Sequence, residues 1–275
     1  MKKLISLIIL AILAFSLILT GCGKKEEKQT SSTPAEDKSL EYIKEKGKIV
    51  IGLDDGFPPM GFRDEKGNIV GFDIDLARKV SEKLGVEVEF KPIDWNSKEM
   101  ELETKKIDAI WNGMSINKER EEKMTLSKPY LENTQAFVVK KGSAIKTIAD
   151  MKDKKIGFQD KSSSSAAFEK HKELSTSVAS NQAYPKNKDV LVDIKVGRID
   201  VALMDEVVSK YYVAKEKDKY EFLAEDLGKE YYAIGFRKGD IKLKEAVDKA
   251  IDELKANGTT AEISKKWFGE DIVIK

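Results

Sequence analysis

Two hydrophobic periods take turns along this chain. Residues 48–53 (KIVIGL) form a compact β-branched run, and in residues 72–84 the apolar positions Phe72, Leu76, Val80 and Leu84 recur every four residues until Gly85 stops the pattern. Residues 86–90 (VEVEF) alternate with period two, as a half-buried strand does. Asn96 followed by Glu99 reads as a helix cap ahead of Met100 and Leu102, and residues 106–111 (KIDAIW) read as the next strand. Strand, helix, strand, helix, strand predicts a mostly parallel sheet with helices on its faces.

The pattern then restarts. Strands are expected at 155–158 and 198–204, and helices at 166–174, 189–196 (ended by Gly197) and 206–214. Residues 106–109 (KIDA) and 198–201 (RIDV) each follow a helix and precede a polar turn, a weak internal similarity that fits two lobes of like construction. A strand at 231–236 and helices near 241–255 and 259–267 have no strand partner left in the second lobe, so they are assigned back to the first. The expected fold is α/β in two lobes: lobe 1 over 40–136 and 232–275, lobe 2 over 137–231, with chain crossings near 135–137 and 229–232. A cleft between lobes is where a small ligand sits.

The N-terminus changes the picture of where the chain works. Met1-Lys2-Lys3 precede sixteen residues, Leu4 to Leu19, apolar except for Ser6 and Ser16. At ~1.5 Å per residue these reach ~24 Å, short of a ~30 Å hydrocarbon core. The segment therefore reads as a secretory signal over 1–21 rather than an uncleaved anchor. Leu19-Thr20-Gly21-Cys22 resembles the bacterial lipobox, which implies lipidation of Cys22 and anchoring to the outer face of the cell membrane. Two acyl chains suffice for stable anchoring. Residues 22–39 follow as a solvated tether, in which Ala35 is the one apolar residue after Cys22.

Composition narrows the chemistry. Cys22 is the only cysteine, so an intramolecular disulfide or redox pair is excluded. Without residues 1–21 the chain carries 47 basic and 48 acidic residues, no basic surplus for nucleic acid. The one histidine, His171, lies in the charged run Glu169-Lys-His-Lys-Glu173, so histidine-based triads and zinc sites lack members. There is no glycine-rich phosphate loop, and no cofactor or metal is expected.

Loops leaving the C-terminal ends of strands hold the candidate site residues. Asn112, Gly113 and Ser115 follow the 106–111 strand, and Gly113 and Ser115 can offer backbone N–H groups. Arg120 has the planar fork that matches a carboxylate, or belongs to a solvated helix face in Lys118–Lys123. Ser162 and Ser163 open a helix whose N–H groups favour an anion, or cap it in the ordinary way. Asp205 could accept from an ammonium or cap the helix at Glu206. Phe57 and Trp95 project towards the same cleft wall, or pack in the core with Trp111 behind them. Asp54 precedes Phe57 and could meet a cationic or polar group, or cap the turn. Gln159 would suit a polar tip.

Residues 51–62 (IGLDDGFPPMGF), 67–85 (GNIVGFDIDLARKVSEKLG), 105–120 (KKIDAIWNGMSINKER), 197–207 (GRIDVALMDEV), 233–240 (AIGFRKGD) and 255–269 (KANGTTAEISKKWFG) together resemble the solute-binding proteins of polar amino-acid ABC transporters, the family 3 extracellular solute-binding proteins. The resemblance implies a type II periplasmic-binding fold that closes on a free amino acid and delivers it to a permease and its ATPase. It implies that Arg120 clamps the α-carboxylate beside Ser115, Ser162 and Ser163, that Asp205 and the Gly113 carbonyl take the α-ammonium, and that Phe57 and Trp95 sandwich the ligand side chain with Asp54 near its tip. The sequence departs from that pattern in three places. The loop before Ser162 runs Gln159-Asp160-Lys161 without the usual glycine, Gly113 replaces a hydroxyl residue, and Trp111 is bulkier than usual. A monomeric, extracytoplasmic binding protein is expected rather than an enzyme. A sensing module for a signalling receptor and a dehydratase on the same fold are the alternatives.

Overall fold

The computed structural model describes residues 36–275. The signal-like segment, Cys22 and most of the expected tether lie outside the described residues. The first described element, helix α1 (Ser39–Lys46), starts on the last residue of the expected tether and stops at Gly47, whose φ of +72° lets its N–H close on Lys44. The rest of the first half runs β1 (Lys48–Leu53), the short strands β2 (Gly56–Phe57), β3 (Gly61–Arg63) and β4 (Ile69–Val70), helix α2 (Phe72–Leu84) and β5 (Glu87–Pro92). It continues through a 3-10 turn (Trp95–Ser97), α3 (Lys98–Glu103), β6 (Ala109–Ser115), α4 (Lys118–Lys123) and β7 (Met124–Leu126).

Strand β8 (Leu131–Lys140) leads into β9 (Lys155–Gln159), α5 (Ser163–Lys170), α6 (Lys172–Ser177), β10 (Ser180–Tyr184), α7 (Asn187–Val196), β11 (Val201–Asp205) and α8 (Glu206–Lys215). The chain returns on β12 (Tyr220–Arg237) and ends with α9 (Ile241–Ala256) and α10 (Thr259–Phe268).

Strands β2, β3 and β4 form a small antiparallel sheet of their own, and the others form one sheet in the order β10-β9-β11-β8-β12-β6-β1-β5, with β7 also beside β12. At its two ends this larger sheet is parallel: β1 pairs with β5 and β6, and β9 with β10 and β11. Its middle is antiparallel, because β8 and β12 run past each other from Tyr220–Lys140 to Tyr232–Leu131. The mostly parallel sheet expected from the pattern is thus a mixed one. The two long strands are the reason, since a chain that crosses and returns lays them antiparallel. Their register shifts between Phe222 and Asp226 and again between Asp226 and Lys229, so the ladder bends in its middle.

The C-terminal helix α9 turns Leu243, Val247, Ile251 and Leu254 inwards and packs on α1, α2 and α10. On the other side, Phe137, Val139, Ile156, Phe158, Val201 and Leu203 form a core of their own beneath Phe168 and Leu174.

Several boundaries differ from the sequence reading. The strand expected at 106–111 runs from 109 to 115, so Asn112, Gly113 and Ser115 are strand residues rather than loop residues. The helix expected at 166–174 is two short helices that meet at His171, which caps the second through its imidazole. Asn96 caps nothing. Asp94 accepts from the Asn96 backbone N–H, and the Asn96 side chain reaches Asp160 at 3.0 Å.

Candidate functional site

The local chemistry at each strand end explains why these side chains converge. Asp54 leaves β1 into a tight turn, where its Oδ1 accepts from the Gly56 N–H at 2.9 Å. Its other oxygen receives the Gln159 Nε2 at 2.7 Å, from the far half of the sheet. Burial pushes the Asp54 carboxyl above its ordinary range. On β6, Asn112 accepts the Asp54 N–H at 3.0 Å, while its own side-chain N–H group has no partner.

Gly113 needs to be glycine. Its φ is +54°, and a Cβ there would lie 2.8 Å from the Phe57 ring and 3.0 Å from Tyr232. Behind it, Asp73 takes the Gly113 N–H at 2.7 Å and fixes the strand.

Arg120 settles between its two sequence readings in favour of the interior. It is 5% exposed although it lies in a charged helical run, because Asn117 caps α4 and turns that side chain under β6. Its Nη1 donates to the Ser115 carbonyl at 2.6 Å and to the Ser163 Oγ at 3.2 Å. Among the described residues no carboxylate comes within ion-pair distance of the guanidinium.

The serine pair divides its labour. Ser162 caps α5, accepting from Ser165 N and donating to Gln159 O, so its hydroxyl is committed locally. Ser163 is the one that meets Arg120. Upstream, Lys161 takes a φ of +48°, the left-handed turn that glycine would adopt without strain.

Asp205 is not a helix cap, since its side chain makes no bond to the α8 N-terminus. Its Oδ1 accepts instead from Asn133 Nδ2 at 2.6 Å, Gln135 Nε2 at 2.9 Å and Tyr232 Oη at 3.1 Å. Burial and the neighbouring Glu230 hold its carboxyl well above the usual carboxylate range.

Asp54, Phe57, Trp95, Asn112, Gly113, Arg120, Gln159, Ser162, Ser163 and Asp205 line one cavity. Ser115 is the exception among the candidates, because its hydroxyl is spent on Glu230 at 2.6 Å. The walls meet closely. About 10 Å³ is open to the centre of a water molecule, far below the several hundred Å³ of a small-molecule pocket. The two walls therefore have to separate before anything larger than a water can enter.

Comparison with known proteins then decides the family. A family model described as bacterial extracellular solute-binding proteins, family 3, matches residues 49–270. The chain belongs to that family. It is 32% identical over 240 residues to the L-cystine-binding protein TcyJ of Escherichia coli (strain K12), covering 86% of this chain and 89% of that one. It is 31% identical over 271 residues to the arginine-binding extracellular protein ArtP of Bacillus subtilis (strain 168), with 98% of each chain covered. A crystal structure of an ABC uptake transporter substrate-binding protein from Streptococcus pneumoniae with bound histidine superposes with a TM-score of 0.84 at 41% identity, covering 87% of this chain and 99% of that one.

The mixed sheet with its two long crossing strands is accordingly the type II fold of periplasmic binding proteins, and members of the family act outside the cytoplasm. Among the described residues no helix is long and apolar enough to cross a membrane.

Four polar residues beside this candidate site escaped the sequence reading. Asn133 and Gln135 on β8, and Glu230 and Tyr232 on β12, surround Asp205. Each pair is spaced by two residues and so shares one face of its strand. Lys98 was missed as well. It is buried beneath Trp95, with Nζ 5.0 Å from the ring centroid, and burial followed by the Arg120 charge pushes its ammonium down to about 8.

Proposed function

We propose that this chain captures a free polar L-amino acid outside the cytoplasm and delivers it to an ABC permease and its ATPase. One observation carries the ligand class: a guanidinium buried with no carboxylate partner faces, across a narrow space, a buried acidic group that has no cation. Burying either charge uncompensated is costly. A zwitterion with carboxylate and ammonium on one carbon satisfies both ends at once.

In this reading Arg120 takes the α-carboxylate with Ser163 beside it, and Asp205 with the Gly113 carbonyl takes the α-ammonium. Ser162 acts by holding the helix start, and Ser115 through its carbonyl on Arg120 rather than through its hydroxyl. Phe57 and Trp95 flank the ligand side chain, with Asn112 along it. Asp54 and Gln159, already bonded to each other, sit at the tip and select a polar group. Relatives named for cystine, arginine and histidine binding agree with a polar side chain.

Lobe 1 is placed at 40–136 and 232–275 and lobe 2 at 137–231, with Arg120 and Asp205 on opposite sides. Only the closed arrangement then satisfies both ends of the ligand, so closure follows from differential contacts. The role is binding without turnover. The chain acts as a monomer, held to the outer face of the membrane by lipid on Cys22. A Cys22→Ala chain is expected in the soluble fraction after fractionation, and its retention on membranes would contradict the anchor.

The ligand class is tested by a thermal-shift screen of the twenty amino acids plus cystine and ornithine. A ligand at about 100-fold its dissociation constant adds ~2.7 kcal/mol. That corresponds to a rise of roughly 5–10 °C for a chain of this size. At least one polar amino acid is expected to reach it, and a flat screen would contradict the reading.

A further inference from the structure

Two carboxylates, Asp205 at the cavity and Glu230 on β12, share the same pair of amide donors. Asn133 Nδ2 donates to Asp205 Oδ1 at 2.6 Å and to Glu230 Oε1 at 2.7 Å. Gln135 Nε2 does the same, at 2.9 and 2.8 Å. Two amide groups therefore spend all four of their N–H bonds clamping one acidic pair. Neither amide can turn round, because Asn133 Oδ1 accepts from Val207 N and Gln135 Oε1 accepts from the Ser164 hydroxyl. Ser115 Oγ adds a third donor to Glu230 Oε1, and Tyr232 Oη a third to Asp205 Oδ1. Asp205 lines the cavity, whereas Glu230 stands behind it on β12.

We propose that Glu230 is a positioning residue for ligand capture: clamped against Asp205, it makes the pair hold one proton while the site is empty, and the arriving ammonium expels that proton to solvent. Two carboxylates at contact distance do not both ionise without a cation between or beside them. Asp205 is the member whose carboxyl is held high, by burial first and Glu230 second. The other charged or titratable groups facing the pair are Arg120 from α4, whose strongest attraction is to Glu230, and Tyr232, whose hydroxyl stays protonated at neutral pH. Arg120 keeps its charge and is taken up by the ligand carboxylate, so the ligand ammonium is the cation left to replace the proton. Binding is then tighter at higher pH while Asp205 titrates.

The inference rests on the amino-acid reading, and the test separates the two. Each amino acid that binds the full chain in the screen above is titrated calorimetrically at pH 7 in phosphate and in Tris, whose ionisation enthalpies differ. Wild type is expected to release a substantial fraction of a proton, approaching about one. The dissociation constant is expected to fall by up to about tenfold per pH unit while the pair titrates. Glu230→Gln keeps an acceptor for the clamp but removes the second charge. With the Glu230 charge gone and the burial of Asp205 unchanged, it is expected to release clearly less of a proton than wild type and to show a shallower dependence of its dissociation constant on pH from 6 to 8. Binding by wild type without proton release overturns the proposal whether or not the variant folds, and so does undiminished release in Glu230→Gln. If no amino acid binds, the amino-acid reading itself fails, and this inference with it.

Discussion

Asp73 shows at the scale of one residue how the site is held. It lies in the first turn of α2, is wholly buried and grips the Gly113 N–H, while its Oδ1 makes no bond of ordinary geometry. Burial raises its carboxyl from 3.8 to about 7. A carboxyl raised on folding keeps a proton that the unfolded chain has already lost, so its favourable contribution is full at low pH. That contribution drains away as pH climbs from 3.8 towards about 7. Each unit of that shift is worth roughly 1.4 kcal/mol. Urea unfolding at pH 5 and pH 7 is expected to show this loss in wild type and a flatter profile in Asp73→Asn; equal slopes would contradict the assignment. Arg120 was less legible than its neighbours for a related reason. A run of six charged residues looks solvated, and only the Asn117 cap and the strand above reveal that one member points inwards.

At the scale of elements, the strongly periodic pieces were readable and the site strands were not. Helix α2 has its expected limits because every fourth residue is apolar and Gly85 ends it. Strand β8 was missed because Asn133 and Gln135 occupy buried positions that a core strand would fill with apolar residues. The residues that clamp Asp205 are thus the ones that disguised their own strand. Strand β6 was cut short at Trp111 for the same reason, since Asn112, Gly113 and Ser115 read as a polar turn. The loop before α5 was legible through what it lacked. Glycine is missing there, and Lys161 adopts the left-handed φ of +48°. A non-glycine residue held in that region costs of order 1 kcal/mol or more. Lys161→Gly is expected to raise stability by about that amount, a rise of roughly 2–4 °C in thermal midpoint; the Lys161 carbonyl that receives Lys98 is retained. A fall in midpoint would contradict the strain.

For the whole molecule, the repeated strand–helix pattern and the return of the C-terminal helices were visible, while the length of the crossing strands was not. β12 runs for 18 residues through stretches of exposed, charged sequence, where alternation gives no cue. Several contacts close the two walls over the cavity. Asn96 meets Asp160, Lys186 meets Asp55 at 2.6 Å, and the Phe62 and Tyr211 rings lie 5.4 Å apart. These contacts are made without a ligand charge, so they set how readily the walls close. In the proposed reading, Arg120 and Asp205 set what they close upon. The account therefore turns on Arg120. Isothermal titration of wild type and Arg120→Ala with the amino acid that gives the largest thermal shift tests it most directly. The variant is expected to stay folded and to lose at least about thirtyfold in affinity, the cost of removing one partner of a buried charge pair. An unchanged dissociation constant in a folded Arg120→Ala chain would contradict the account.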